Sequence, residues 1–360
     1  MALYGLAASE RDGDAPTVGG SSRASAPAMR DLALQHARTR LGAARIDMLT
    51  SPPPDPRGTL IGQDVTCRFV PRSPSGTSPK FDCALPDGEV VRVKYGHEPE
   101  INAEVAATRL LAALGYAADR VYMVPRVRCY GCPANPFLRM RLLDMLGRHP
   151  GDGAQVPSGP PPDDYVDFEW VAVERKFDAA SIEDDDREGW AWWELKQVKA
   201  PIEELDALRL IAVFLAHWDN KAENQRLVCM DAAPPAANLP CADPLVMIQD
   251  VGATFGPMKV NVAEWDAMPV WSDRAACTVS MQALPYRGST FPDARIAESA
   301  RVGVGRDLAA FTDADLRAWF AAARFPEFYA STSDEKDLEM WTRVFRHRVD
   351  QIVSAGPCPQ

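Results

Sequence analysis

The chain contains no run of about 18 uninterrupted apolar residues, which argues against a membrane-spanning helix. It has no surplus of positive charge either. Its 39 Lys and Arg stand against 50 Asp and Glu, for a formal net charge of -11. Broad contact with nucleic acid or an anionic membrane needs clustered cations, so that balance argues against both. The first residues, Met1 to Glu10, include no basic segment and too short an apolar stretch for a secretory signal, and the chain reads as cytoplasmic. There is no internal repeat and no G-x-G-x-x-G loop. A single C-x-x-C, Cys129-Tyr-Gly-Cys132, lacks the second close pair that a structural zinc site requires, which leaves a metal or redox centre there as a minor reading. In a reducing compartment the eight cysteines are expected to be free thiols; only export would open Cys229 and Cys241, which flank a Pro/Ala-rich loop, to cross-linking.

What is present suffices for a large core: 360 residues, 46% of them hydrophobic, suggest one large two-lobed unit or two domains. Residues 1–60 are rich in Gly, Ser, Ala and Pro and read as a flexible extension with one weakly amphipathic stretch from Met29 to Leu49. Strand-like alternation follows, clearest at Val90-Val-Arg-Val-Lys94 after the Pro86-Asp-Gly88 turn. Glu98 to Leu114 has helical periodicity and Gly115 as its stop, Arg120–Pro125 and Trp170–Arg175 read as further strands, and Gly147 to Asp164 reads as a surface insertion. From Glu194 the pattern turns helical. Thr312-Asp-Ala-Asp315 resembles a capping box, and Ser333 to Val353 places Leu338, Trp341, Phe345 and Ile352 on one face.

The densest chemistry lies at His217-Trp-Asp-Asn-Lys-Ala-Glu-Asn224, which breaks an apolar helical approach from Leu208 to Leu215. Two apolar runs, Gln225–Met230 and Pro244–Gln249, read as paired strands that deliver Asp250-Val-Gly252 beside that loop, where Gly252 permits close backbone approach. One carboxylate to orient an attacking hydroxyl, an amide oxygen five residues on for a cation, and a second carboxylate to link that cation to phosphates are the parts of a phosphoryl-transfer centre. Asp219, Asn224 and Asp250 supply them, and Lys221 supplies charge for the transferring group. His217 reads as structural, holding the loop by hydrogen bonds.

Upstream, Lys94 ends a strand where an amine would reach phosphates, with Glu104 on the following helix as its partner and Glu98 or Glu100 as competitors. Ser73 to Lys80 could turn amides, hydroxyls and the Lys80 amine toward phosphates. The connector Val171 to Phe177, which includes Glu174, offers backbone to an adenine edge. Trp190, Trp192 and Trp193 read as packing.

In this order, Ser75-Gly-Thr-Ser-Pro-Lys80-Phe81, Val93-Lys94, Glu104, Ala172-Val-Glu-Arg175, His217 to Asn224 and Asp250 resemble HipA-like atypical serine/threonine kinases and, more distantly, phosphatidylinositol 3- and 4-kinases. The resemblance spans residues 73–255 and is most specific from Asp219 to Asn224. It implies an α+β, bilobal protein-kinase-like fold, with a small β-rich lobe and connector over 61–178 and a larger helical lobe over 179–356. It also implies ATP with Mg2+ or Mn2+ as the cofactor set, Asp219 as catalytic aspartate, Asn224 and Asp250 as metal ligands, and Lys94 as nucleotide lysine. A protein Ser/Thr hydroxyl is the expected acceptor. A lipid or small-molecule hydroxyl, or a pseudokinase scaffold without turnover, are the alternatives.

Overall fold

The computed structural model describes residues 26–50, 57–148, 161, 163–184, 187–231, 240–282, 284, 291, 293–328 and 333–359. The expected insertion lies largely outside the described residues, as do most of the leading segment and the middle of the loop after Met230.

The fold is α+β. Its first half closes into a five-stranded barrel: β1 (Asp64–Val70), β2 (Lys80–Ala84), β3 (Val90–Lys94), β4 (Arg120–Tyr130) and β5 (Tyr165–Arg175), in the order β1-β2-β3-β5-β4. All neighbours are antiparallel except β1 and β4. Val91 and Val93 join Phe81, Val124, Phe168 and Val173 in the barrel core, and the two-residue strand period turns Arg92 and Lys94 the other way. β4 runs beyond its predicted end because Pro125 is accommodated by a local irregularity. The β4–β5 register skips Pro125 and Trp170, and Trp170 takes a left-handed φ of 50°. A proline, which has no N–H to give, is tolerated at such a break.

The helices share a second and larger core. α1 (Ala26–His36) contributes Ala33 and Leu34, and α2 (Pro99–Ala113), opened by Pro99 where a missing N–H costs nothing, contributes Ile101, Val105, Leu110 and Leu111. α3 (Pro136–Met145) packs on β2, while β6 (Ala180–Ser181), β7 (Gln225–Cys229) and β8 (Pro244–Ile248) form a small antiparallel sheet. α4 (Ile202–Leu215) crosses the middle of this core, flanked by α5 (Val262–Ala267), the two-stranded pair β9 (Thr278–Val279) and β10 (Ala294–Arg295), α6 (Glu298–Ala309), α7 (Asp313–Ala322) and α8 (Asp334–Val353). The predicted capping box at Thr312 and Asp315 is present, and Ser333 caps α8. No helix among the described residues is long and apolar enough to cross a membrane.

The cysteines correct the free-thiol expectation. All eight are paired: Cys67–Cys83, Cys129–Cys132, Cys229–Cys241 and Cys277–Cys358. Folding brings together what sequence spacing keeps apart, since Cys83 and Cys129 place their sulfurs 3.6 Å from one another in the barrel core. With these sulfurs in disulfides, the C-x-x-C presents no thiolate pair for a metal.

Candidate active site

A cavity of 460 Å³ opens between the barrel and the helical core. All eight residues singled out from the sequence line it: Lys80, Lys94, Glu104, Glu174, Asp219, Lys221, Asn224 and Asp250. Two parts of the fold assemble it. β2, β3 and β5 bring the first lysines and Glu174, and α2 brings Glu104. α4 then ends at Ala216, whose left-handed φ of 53° turns the chain into the polar loop. That loop is laced to the Asp250 turn by Trp218 N to Ala253 O at 3.1 Å, Phe255 N to Leu215 O at 2.8 Å and Gln249 N to Asn224 O at 3.0 Å.

Lys94 is the electrostatic centre of the barrel side. Its amine lies 2.5 and 2.6 Å from the two Glu104 oxygens, 3.1 Å from Glu174 and 3.9 Å from Asp250. Glu104 is therefore the partner, and Glu100 instead accepts from Ser78 at 3.3 Å. Burial works against the Lys94 charge, but Glu104, Glu174 and Asp250 outweigh it and hold the ammonium well above its usual range. Glu104 responds mainly to burial, reinforced by the neighbouring Glu174 and Asp250 and only partly offset by Lys94, and is pushed up to about 7. Glu174 is buried as well, yet Lys94 and Lys176 together hold it below the usual carboxylate range. Lys80 sits beneath the turn at Gly76, where an added Cβ would come within 3.3 Å of its amine, and burial beside Lys94 lowers its pKa.

On the helical side, Asn224 donates its amide nitrogen to the Asp219 carbonyl at 2.7 Å, which commits the nitrogen and frees the oxygen. Lys221 lies 3.4 Å from one Asp219 carboxylate oxygen, and the other is buried without a hydrogen-bond partner. Asp250 has a left-handed φ of 51°, unusual for a residue with a side chain, and its carboxyl is 48% exposed to the cavity. Gly252 follows because a Cβ there would approach the Glu100 carbonyl to 3.0 Å, so the turn is pressed against the start of α2. These oxygen donors suit a hard divalent cation.

His217 lies beneath the loop against the Asp250 backbone. It is fully buried and neither ring nitrogen meets hydrogen-bond geometry. Burial lowers its pKa to about 4, although the Asp250 backbone and carboxylate pull the other way, so the ring is neutral at physiological pH. The loop is held by Asn220 instead, whose amide donates to the His217 carbonyl at 2.5 Å. Trp190 and Trp192 pack edge to face at 5.0 Å in the core, whereas Trp193 is exposed. Sequence reasoning missed the brace beneath Glu174. Lys176 contacts Glu174 and reaches Asp119 at 2.9 Å, and Asp119 also accepts from Phe177 N at 2.8 Å. Asp119 precedes β4 by one residue and carries no sequence pattern that marks it.

No family model matches the sequence, and no curated protein matches it. Among solved structures, the chain is similar to the proinflammatory kinase CtkA of Helicobacter pylori, at 11% identity and a TM-score of 0.41, over 81% of this chain and 95% of that one. It is also similar to the Golgi casein kinase with Mn/ADP bound, at 11% identity and a TM-score of 0.37, over 82% of this chain and 74% of that one. Likenesses of this size carry no functional argument.

Proposed function

We propose that the chain is an ATP-dependent phosphotransferase of atypical kinase type, with a protein serine or threonine hydroxyl as acceptor. The observation that carries this is the convergence, in one cavity, of the Lys94–Glu104 ion pair, the Asp219–Asn224 loop and the Asp250 turn. A barrel half and a helical half meeting at that cavity support a bilobal, kinase-like reading of the fold. The four disulfides favour an oxidising compartment over the cytoplasm expected from the sequence.

The roles follow from chemistry. Lys94, fixed by Glu104, directs its amine toward nucleotide phosphates, and Lys80 under the Gly76 turn adds a second cation. The connector after Glu174 offers its backbone to the base. Asp250 and the Asn224 amide oxygen would hold Mg2+ or Mn2+, which when bound would neutralise charge on the phosphates. Asp219 presents its carboxylate, on the side that Lys221 faces, to the acceptor hydroxyl, orienting it for in-line attack and taking its proton as the new O–P bond forms. Lys221 faces the same carboxylate and offsets negative charge as the phosphoryl group moves. His217, neutral and sealed from solvent, takes no part in proton transfer.

Binding is tested separately from chemistry. ATP with Mn2+ should raise the melting temperature of the wild type, and Asp250→Ala should abolish the metal-dependent part of that shift. An equal metal-dependent shift in both proteins would remove Asp250 from the cation site.

A further inference from the structure

A second cavity, of 260 Å³, lies between α2, the segment 41–48 and the start of β4, and shares no lining residue with the first. Its walls are mostly apolar, from Leu41, Met48, Ala112, Ala118, Val121 and Phe177. Into this setting α2 places Arg109, a cation only 5% exposed.

Arg109 is an exception among the buried arginines. Arg30 is paired with Glu194 at 2.9 Å, Arg175 with Glu89 at 2.9 Å and Arg301 with Glu298 at 2.6 Å. Arg348 donates to the carbonyls of Val213, Phe214, Trp265 and Met268. Arg109 has no hydrogen bond or ion pair among the described residues, and its Nε is sealed from solvent without an acceptor. The one acid among the described residues of the cavity wall, Asp119, is already committed to Lys176 and to the Phe177 amide. A buried, uncompensated guanidinium is costly, and it cannot escape by losing its proton at neutral pH. Burial lowers its pKa only to about 10, with Tyr122 acting in the opposite sense.

We propose that this cavity binds a small organic carboxylate with an apolar body, its carboxylate paired to Arg109. The walls supply apolar contact and Arg109 supplies a planar fork that matches a carboxylate. Arg45 and Arg120 also line the cavity, but Arg109 is its buried cation, and an organic carboxylate brings an apolar body to the apolar wall where inorganic phosphate brings none. The site is independent of the phosphotransfer reading.

Calorimetric titration of the full chain with hexanoate, hexanamide and inorganic phosphate tests this. Hexanoate should saturate one site and bind at least about tenfold tighter than its neutral amide. Arg109→Met should erase that preference, and Arg109→Lys should keep part of it, which guards against a variant that misfolds. The proposal is overturned by an absence of saturable hexanoate binding, by equal affinity for the amide, by undiminished binding in Arg109→Met, or by phosphate binding through Arg109 where hexanoate does not.

Discussion

Replacing Lys94 by Met should destabilise the protein far more than replacing its partner Glu104 by Gln. The asymmetry comes from who is left behind. Without Lys94, Glu174 keeps the Lys176 contact, but Glu104, with a side chain only 4% exposed, loses its one ion-pair partner among the described residues. Without the Glu104 charge, Lys94 keeps Glu174 at 3.1 Å. Breaking a buried pair so that one charge is orphaned costs ~3–5 kcal/mol. Glu104 already titrates at about 7, so it can take up a proton when Lys94 is gone, which places Lys94→Met at the lower end, about 3 kcal/mol. Glu104→Gln should cost about 1 kcal/mol, the worth of an ordinary hydrogen bond. The double variant orphans nothing, so it should be more stable than the two single losses sum to, by at least ~1 kcal/mol. A raised carboxyl pKa means that the folded state holds the proton more tightly than the unfolded chain. Its contribution is therefore complete below the unfolded carboxyl range and is lost as pH rises through about 7. Lys94→Met should displace that loss to higher pH, and Glu104→Gln should remove it. Urea unfolding of the nucleotide-free protein at several pH values, at constant slope, measures all of this. A Lys94→Met cost below that of Glu104→Gln, or strict additivity in the double variant, would refute the reasoning.

Two other predictions rest on different parts of the molecule. Gly252→Ala should destabilise by ~1–3 kcal/mol, because its Cβ meets the Glu100 carbonyl backbone at 3.0 Å, and it should weaken nucleotide binding by displacing Asp250; urea midpoints and a nucleotide titration check both. Replacing Cys277 and Cys358 together by Ser opens a link across 81 residues and should cost ~2–5 kcal/mol, whereas the same change at Cys129 and Cys132, three residues apart, should cost less; melting temperatures of the two double variants decide it.

Much of this was legible in the sequence wherever local pattern and local chemistry agreed. The apolar period before His217, the two runs flanking the loop after Met230, and the alternation ending at Lys94 each report on their own neighbourhood, and each forms the element its period predicts. The separation of Lys94 and Glu104 placed one at a strand end and the other on the next helix, so their meeting followed from short-range geometry. Long-range pairing was not legible. Cys67 with Cys83, and Cys277 with Cys358, depend on barrel closure and on where the C-terminal tail docks, and spacing carries no trace of either. Asp119 and Arg109 were invisible for the same reason: each matters through what surrounds it after folding.

In the proposed reaction this cavity transfers the γ-phosphoryl group of ATP, with Asp219 as the residue that orients and deprotonates the acceptor. Its most direct test is incubation of the purified chain with γ-labelled ATP and Mg2+ or Mn2+, alone and with separate protein and lipid pools. The account predicts metal-dependent label on serine or threonine of a protein, reduced by at least about a hundredfold in an Asp219→Ala variant that still binds nucleotide. Labelling that Asp219→Ala leaves unchanged, or a wild type that binds ATP but neither hydrolyses nor transfers it, would contradict it.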